Sequence, residues 1–278
     1  MAPGDLVSDE LWEAIAPLLP PEPVHGHGGP PRVPHRAALG GILYVLRHGM
    51  PWCRLPQELG FGSGITCWRR FRRWQDLGIW QQVHQTILHW LGDLDAIDWS
   101  RASIDSLSVR AKCGGEDTGP NPTDRGKLGS KIHLLVDHQG VPLAVLLSGA
   151  NVHDSKLLEP LVDAVQPIRR PVGQPGRPRK RPAKLHADKG YDYPAKRRAL
   201  RARGITPRIA RKGLESSERL GRFRWVVERS LSWIVAFRRL ALRYDRQPAA
   251  MLGFLHLACA LISLRFLARA EANDHSKV

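Results

Sequence analysis

Apolar positions recur at helical spacing through the first third of the chain and at alternate positions after Asp95, so the polypeptide reads as a helical region followed by a mixed one. Ser8 before Asp9-Glu10 signals a helix start, Leu11, Trp12, Ile15, Leu18 and Leu19 give it an apolar face, and Pro20-Pro21 ends it. The stretch from Pro20 to Pro34, rich in Pro, Gly and His, predicts a surface loop, with His25 and His27 as loop residues rather than metal ligands. Leu39, Ile42, Leu43 and Leu46 then predict a helix from His35 that stops at Gly49-Met50-Pro51. A short helix over Leu55 to Gly60 and the turn Gly62-Ser63-Gly64 lead into another helix from about Ile65. On it Trp68, Phe71 and Trp74 share a core-facing side, and Arg69, Arg70, Arg72 and Arg73 occupy the remainder. Trp80, Val83, Ile87 and Trp90 continue the helical pattern to Asp93.

Beyond Asp95 the period changes. Ser103 to Val109, Lys131 to Val136 and Val141 to Leu147 predict three strands, the last two joined by the turn Asp137-His138-Gln139-Gly140. Cys113 to Gly126, between the first two, holds glycines and prolines and predicts a mobile loop. Leu157, Leu158, Leu161 and Val165 predict a helix, and Arg169 to Lys184, basic and proline-rich, an exposed linker. A strand over Lys184 to Ala187, a helix from Pro194 to Arg203, a strand around Ile205 to Ile209, a long helix through Glu228 and an apolar helix from Pro248 to Ala268 complete the order. The tail past Glu271 is expected to fray.

Charge sharpens this picture. With 42 Lys+Arg against 26 Asp+Glu the chain carries +16, which favours a polyanionic partner over a merely basic or ribosome-associated role. A short helix, a glycine turn and an arginine-dense helix follow in the order of a helix-turn-helix DNA reader; the alternative for these arginines is a solvated surface. Cys53, Cys67, Cys113 and Cys259 have no zinc or disulfide spacing and suit a reducing cytoplasm. No basic region followed by an apolar one opens the chain, so no signal peptide is expected. The apolar run Ala249 to Leu264, broken by His256 and Ser263, is read as a core helix too short to span a membrane.

Three acids stand out. Asp105 lies inside a strand, where an unpaired carboxylate is costly; Asp188 sits at a strand tip before Lys189-Gly190; Glu228 flanks the apolar stripe of a helix. Acids at the edges of three core elements suggest one metal-binding cluster. Neighbouring carboxylates remain ionised together only with a cation between them, and hard oxygen donors suit Mg2+ or Mn2+.

The element order, strands then helix, strand, helix, strand and helices, is that of a ribonuclease-H-like domain. The blocks Ile104-Asp105-Ser106, Gly129-Ser130-Lys131-Ile132-His133, Ala150-Asn151-Val152-His153-Asp154, Ala187-Asp188-Lys189-Gly190-Tyr191-Asp192 and Trp225-Val226-Val227-Glu228-Arg229 resemble, in order, a DDE transposase of the insertion-sequence-five group within the insertion-sequence-four superfamily. The resemblance covers almost the whole chain. It implies an α/β architecture with a helical, helix-turn-helix-like DNA-binding domain over residues 1–95, a ribonuclease-H-like catalytic domain over 96–270 and a flexible tail over 271–278. It implies Asp105, Asp188 and Glu228 as a catalytic triad holding two Mg2+ or Mn2+ ions, with Arg224 supporting. The expected activity is cleavage and strand transfer at terminal inverted repeats, by a homodimer or higher oligomer bound to double-stranded DNA near the bacterial nucleoid. The superfamily places a Tyr, Arg, Glu, Lys signature around the third acid; here Gly221 and Val235 stand for the Tyr and Lys, and Arg238 or Arg239 is a candidate replacement for the basic group.

Other residues near these blocks have competing readings. Asn151, His153 and Asp154 are read either as helix caps or as supports of the site, Asp192 as a cap of the next helix, His186 as a packing residue on the face opposite Asp188, and Asp98 as structural. Two alternatives stay open at the level of function. One is a DNA-binding repressor that has lost catalysis, and the other a nuclease that cuts without joining.

Overall fold

The computed structural model describes residues 6–22, 32–211 and 217–275; His25 and His27 lie outside them. Four helices come first: α1 (Asp9–Ile15), α2 (His35–His48), α3 (Gly64–Asp76) and α4 (Ile79–Asp93). Their ends follow local chemistry. Ser8 Oγ accepts from Leu11 N–H at the start of α1, Ser63 Oγ accepts from Thr66 N–H at the start of α3, and Gly49 closes α2 at φ 69°. The Leu55 to Gly60 segment is only a three-residue 3-10 turn, Gln57–Leu59. Gly64 is required by close approach, because a Cβ there would fall 1.7 Å from the Trp52 carbonyl oxygen.

Seven strands make one sheet. These are β1 (Ala102–Ala111), β2 (Gly119–Pro120), β3 (Leu128–Asp137), β4 (Pro142–Gly149), β5 (Lys184–Ala187), β6 (Thr206–Ile209) and β7 (Leu242–Arg243). β1 is central, antiparallel to β3 and parallel to β5, which is parallel to β6; β4 pairs with β3, and β7 joins the far end of β1. Helix α5 (Leu158–Asp163) packs on β3 and β4, α6 (Pro194–Ala202) links β5 to β6, and α7 (Ser217–Ala236) packs against β1, β3 and β5. A short α8 (Arg238–Ala241) precedes β7. All the long apolar and alternating segments appear as expected; β2 and β7, two residues each, are too short for any periodicity to mark them.

Helix α9 (Pro248–His275) departs from expectation in two respects. It runs to His275 where fraying past Glu271 was expected. It is also long and apolar enough to cross a membrane by length and composition, yet 72% of that window is buried in the fold. Its burial comes from packing on α4, with further contacts to β4, α3 and α7. One apolar core therefore runs from α1 to α4 through α9 to both faces of the sheet.

The segment 113–126 is tied down. Beyond the β2 pairing, the buried Arg243 guanidinium donates to the carbonyls of Asp117 (3.0 Å) and Glu116 (2.7 Å) and to Ser130 Oγ (2.6 Å). Hydrogen bonds from a charged donor contribute about 1.5–3 kcal/mol each at most in such a part-buried setting, so this guanidinium helps hold the loop.

Candidate active site

The central strand carries Asp105 on the side that α7 covers. Ser103 Oγ, two residues earlier on that side, donates to the Phe223 carbonyl at 3.1 Å and so registers α7 on the strand. Asp105 is mostly buried. Desolvation raises its pKa, against the Ser106 N–H (2.8 Å) and the Arg224 guanidinium that pull it down, and the Asp188 carboxylate adds a further upward push. That push requires Asp188 to be near, as the fold dictates: β5 lies beside β1 and Asp188 follows its last residue. Asp188 Oδ1 accepts from Gly190 N–H at 2.8 Å, which turns the chain after the strand.

Glu228 is reached through an arginine. Arg224 Nη2 is 3.1 Å from Asp105 Oδ2 and 3.6 Å from Glu228 Oε1, so one guanidinium bridges the first and third acids; the Glu228 side chain is 60% exposed. The structure thus brings Asp105 and Asp188 together and joins Glu228 to them only through Arg224. Among the described residues no three His, Cys, Asp or Glu side chains stand close enough to hold a metal ion as they are placed. The donor set nevertheless fits a hard cation: all-oxygen ligands, with Asp105 and Asp188 adjacent and mutually repelling.

A second cluster underlies these acids, of which the sequence offered Asp154 as a cap or a support of the site but not its partners. Asp154 Oδ1 accepts from Ser106 Oγ (2.8 Å) and pairs with Lys131 Nζ (2.9 Å), which also donates to the Val152 carbonyl (2.9 Å). Tyr191 is 1% exposed and its hydroxyl has no partner; burial first, then the Asp154, Asp105 and Asp188 carboxylates, raise its pKa well above the usual range, so the phenol stays protonated. A lysine in the interior of a mostly buried strand was the available signal, since such a charge needs a partner.

The remaining expected residues take specific places. His153 caps the turn at residue 154, its Nδ1 accepting from Ser155 N–H at 3.3 Å, and its ring meets Tyr193 edge-on at 5.8 Å. Asn151 lies over the loop glycines, where a Cβ on Gly119 would come 1.9 Å from its Oδ1. Asp192 does not cap α6; it pairs with Arg197 at 2.7 Å, and Tyr193 occupies the cap position. His186 packs as expected but on the other side. Residues two apart share a strand face, and its ring lies beneath α7 against Phe223 at 5.2 Å, on the side of Asp105. Asp98 bonds His138 and the Ser100 N–H, a structural role. Arg239 is not free to replace the signature lysine: it is buried and paired with Asp245 at 3.0 Å.

On α3, Arg69 and Arg73 are exposed, whereas Arg70 points inward to His35 Nδ1 (2.5 Å) and the Val33 carbonyl (2.6 Å). Arg72 lies over the Trp68 ring at 5.8 Å, and Trp68 is only half-buried, unlike the core residues Phe71 and Trp74.

Residues 89–263 match the family model described as "Transposase DDE domain". The chain belongs to the DDE transposases. Residues 7–84 of the transposase match a second model, "Putative transposase of IS4/5 family". It is 50% identical over 154 residues to the Burkholderia cepacia protein named "Putative transposase for insertion sequence element IS402", covering 55% of this chain and 72% of that one. It is also 49% identical over 119 residues to the 16.2 kDa protein of the same insertion element, covering 42% and 81%. The fold is similar to that of piggyBac transposase in its synaptic complex with hairpin DNA, at TM-score 0.51 and 14% identity, covering 97% of this transposase and 74% of that chain.

Proposed function

We propose that this transposase binds double-stranded DNA at the ends of its insertion sequence through the helical region of residues 1–95. In this reading it cleaves and transfers those ends at Asp105, Asp188 and Glu228, on a ribonuclease-H-like domain over residues 96–270. The observation that carries the reading is the pairing of two carboxylates, Asp105 inside the central strand and Asp188 just past the end of the parallel strand beside it, beneath the helix that bears Glu228. Two like charges there repel by about 1 kcal/mol in water and several times more in a partly dry cleft, so the pair favours binding a divalent cation. Asp105, Asp188 and Glu228 would hold Mg2+ or Mn2+, and two such ions, when bound, supply an activated water or 3′-hydroxyl and stabilise the leaving oxygen. The protein's own groups do the rest. Asp154 and Lys131 brace β1 against β3, Ser103 seats α7, and Arg69, Arg72 and Arg73 offer cations to phosphates.

The activity test is cleavage of a labelled duplex bearing the element's terminal sequence, with Mg2+ and with EDTA, followed by joining to a target plasmid. Cleavage with Mg2+ that is absent in Asp188→Ala supports the reading. Binding without cleavage returns a repressor, and cleavage without joining a nuclease. A DNA-bound dimer or larger assembly, measured by light scattering of the complex, is expected for a protein that brings two ends together.

A further inference from the structure

Arg224 is placed where a cation belongs. Its Nη2 contacts Asp105 Oδ2 at 3.1 Å and lies 3.6 Å from Glu228 Oε1, and its side chain is only 20% exposed. The guanidinium Nε is buried without a partner, so what fixes the group is the pair of carboxylates. Those are the first and third acids of the proposed site, and the guanidinium is among the influences that hold Asp105 down against burial. The spacing is built into the helix: Arg224 and Glu228 are one turn apart, so the arginine side chain passes Glu228 on its way to the strand. One guanidinium nitrogen, Nη2, reaches both acids, and the arginine's charge is permanent.

A divalent ion and this guanidinium compete for the same anionic oxygens. Both neutralise Asp105 Oδ2, and two cations a few ångströms apart in a half-buried cleft repel each other as strongly as the carboxylates do. Building on the reading of Asp105, Asp188 and Glu228 as metal ligands, we infer that Arg224 is an internal counter-ion. It holds Asp105 and Glu228 in the metal-free protein and has to leave them before a divalent cation can be bound by all three acids. Arg224 therefore keeps the fold intact without metal and lowers the affinity of the free protein for it.

The test measures binding and stability rather than turnover. The full chain, as wild type, Arg224→Gln, Arg224→Lys and Asp105→Asn, is titrated with Mn2+ alone while free Mn2+ is followed by electron paramagnetic resonance. The same proteins are melted in EDTA and in Mn2+. Arg224→Gln is expected to bind Mn2+ about tenfold or more tightly than wild type, to melt below it in EDTA and to recover with Mn2+. Arg224→Lys, which keeps the charge on a shorter and more strongly hydrated group, is expected to show a smaller gain in the same direction and covers the case in which the glutamine variant does not fold. If both variants bind Mn2+ no better than wild type while Asp105→Asn loses binding, the counter-ion inference fails and the metal site stands. If Asp105→Asn binds Mn2+ like wild type, the site reading itself fails.

Discussion

At the scale of single residues, the acids and the arginines of α3 separate by what they touch. Glu228 is mostly exposed and among the described residues its ion pair is with Arg224, so Glu228→Ala is expected to abolish Mg2+-dependent cleavage with a melting temperature near wild type. Asp105→Ala and Asp188→Ala are expected to do the same for cleavage, and double variants to be no worse than singles, as for groups acting together. Asp98→Ala and Asp192→Ala are the controls that retain cleavage. The arginines divide differently. Exposed Arg69 and Arg73, with Arg72, are expected on mutation to Ala to flatten the salt dependence of DNA binding by up to ~0.9 per lost phosphate contact. Arg70→Ala is expected to lower the melting temperature, because its guanidinium holds His35 and the Val33 carbonyl. An unchanged salt slope in the triple variant moves the reader to another surface, with residues 169–184 next. Sequence alone named all four arginines as equals, since helical periodicity gives a direction but not the partner a long side chain finds.

Elements were legible wherever periodicity or punctuation marks them. Ser8, Ser63 and Gly49 announced helix ends, and Asp105, Asp188 and Glu228 were placed on the right strand, strand tip and helix. What the sequence concealed depends on contacts between distant segments: β7 exists only because Arg110 and Ala111 of β1 accept it, and loop 113–126 is ordered by an arginine more than a hundred residues away. The cluster of Lys131, Asp154 and Tyr191 was hidden for the same reason, because each residue alone has an ordinary local reading. Gly64 gives an element-scale prediction. A methyl group there would overlap the Trp52 carbonyl, so Gly64→Ala must push the start of α3 away from the preceding turn. The expected loss of about 1–3 kcal/mol or more in denaturant unfolding should come with weakened DNA-end binding, whereas Gly126→Ala, which meets nothing within 4 Å but has φ 73°, should cost stability without that binding defect.

For the whole molecule, the buried His84, His133 and His186 and the half-buried His256 set an acid limit among the described residues. Burial is the leading cause in every case and lowers His84, His133 and His186 to about 4 and His256 to about 3 from an ordinary 6.5. The neighbours modulate this: His84 lies beside His256, His133 beside Asp154 and Lys131, and His186 beside Arg101, Arg208 and Lys184. The folded state keeps these rings neutral while the unfolded chain takes up protons below 6.5. Their contribution to stability is therefore complete above pH 6.5 and is lost as pH falls toward 4, at up to ~1.4 kcal/mol per pH unit per ring. Asp137 opposes one of them: its buried carboxyl, raised to about 6 in spite of four backbone N–H donors, gains a proton in the fold before it would in the unfolded chain. Denaturant unfolding from pH 7.5 to 4.5 should show a steep decline, shallower in His84→Gln. A flat profile would mean that the rings are hydrated.

The docking of α9 on α4 has a further consequence for how the protein comes into being. The helix that completes the amino-terminal core is made well after α4, leaving the ribosome on the order of ten seconds later. Until then the side of α4 that meets α9 lacks its main partner, although Trp80 is already packed against Phe71 and Trp74 of α3. A chain cut short before Pro248 would thus lack the helix that packs α3 and α4 against β4 and α7. Synthesis of α9 is the step that lets the helical region and the sheet close on one core.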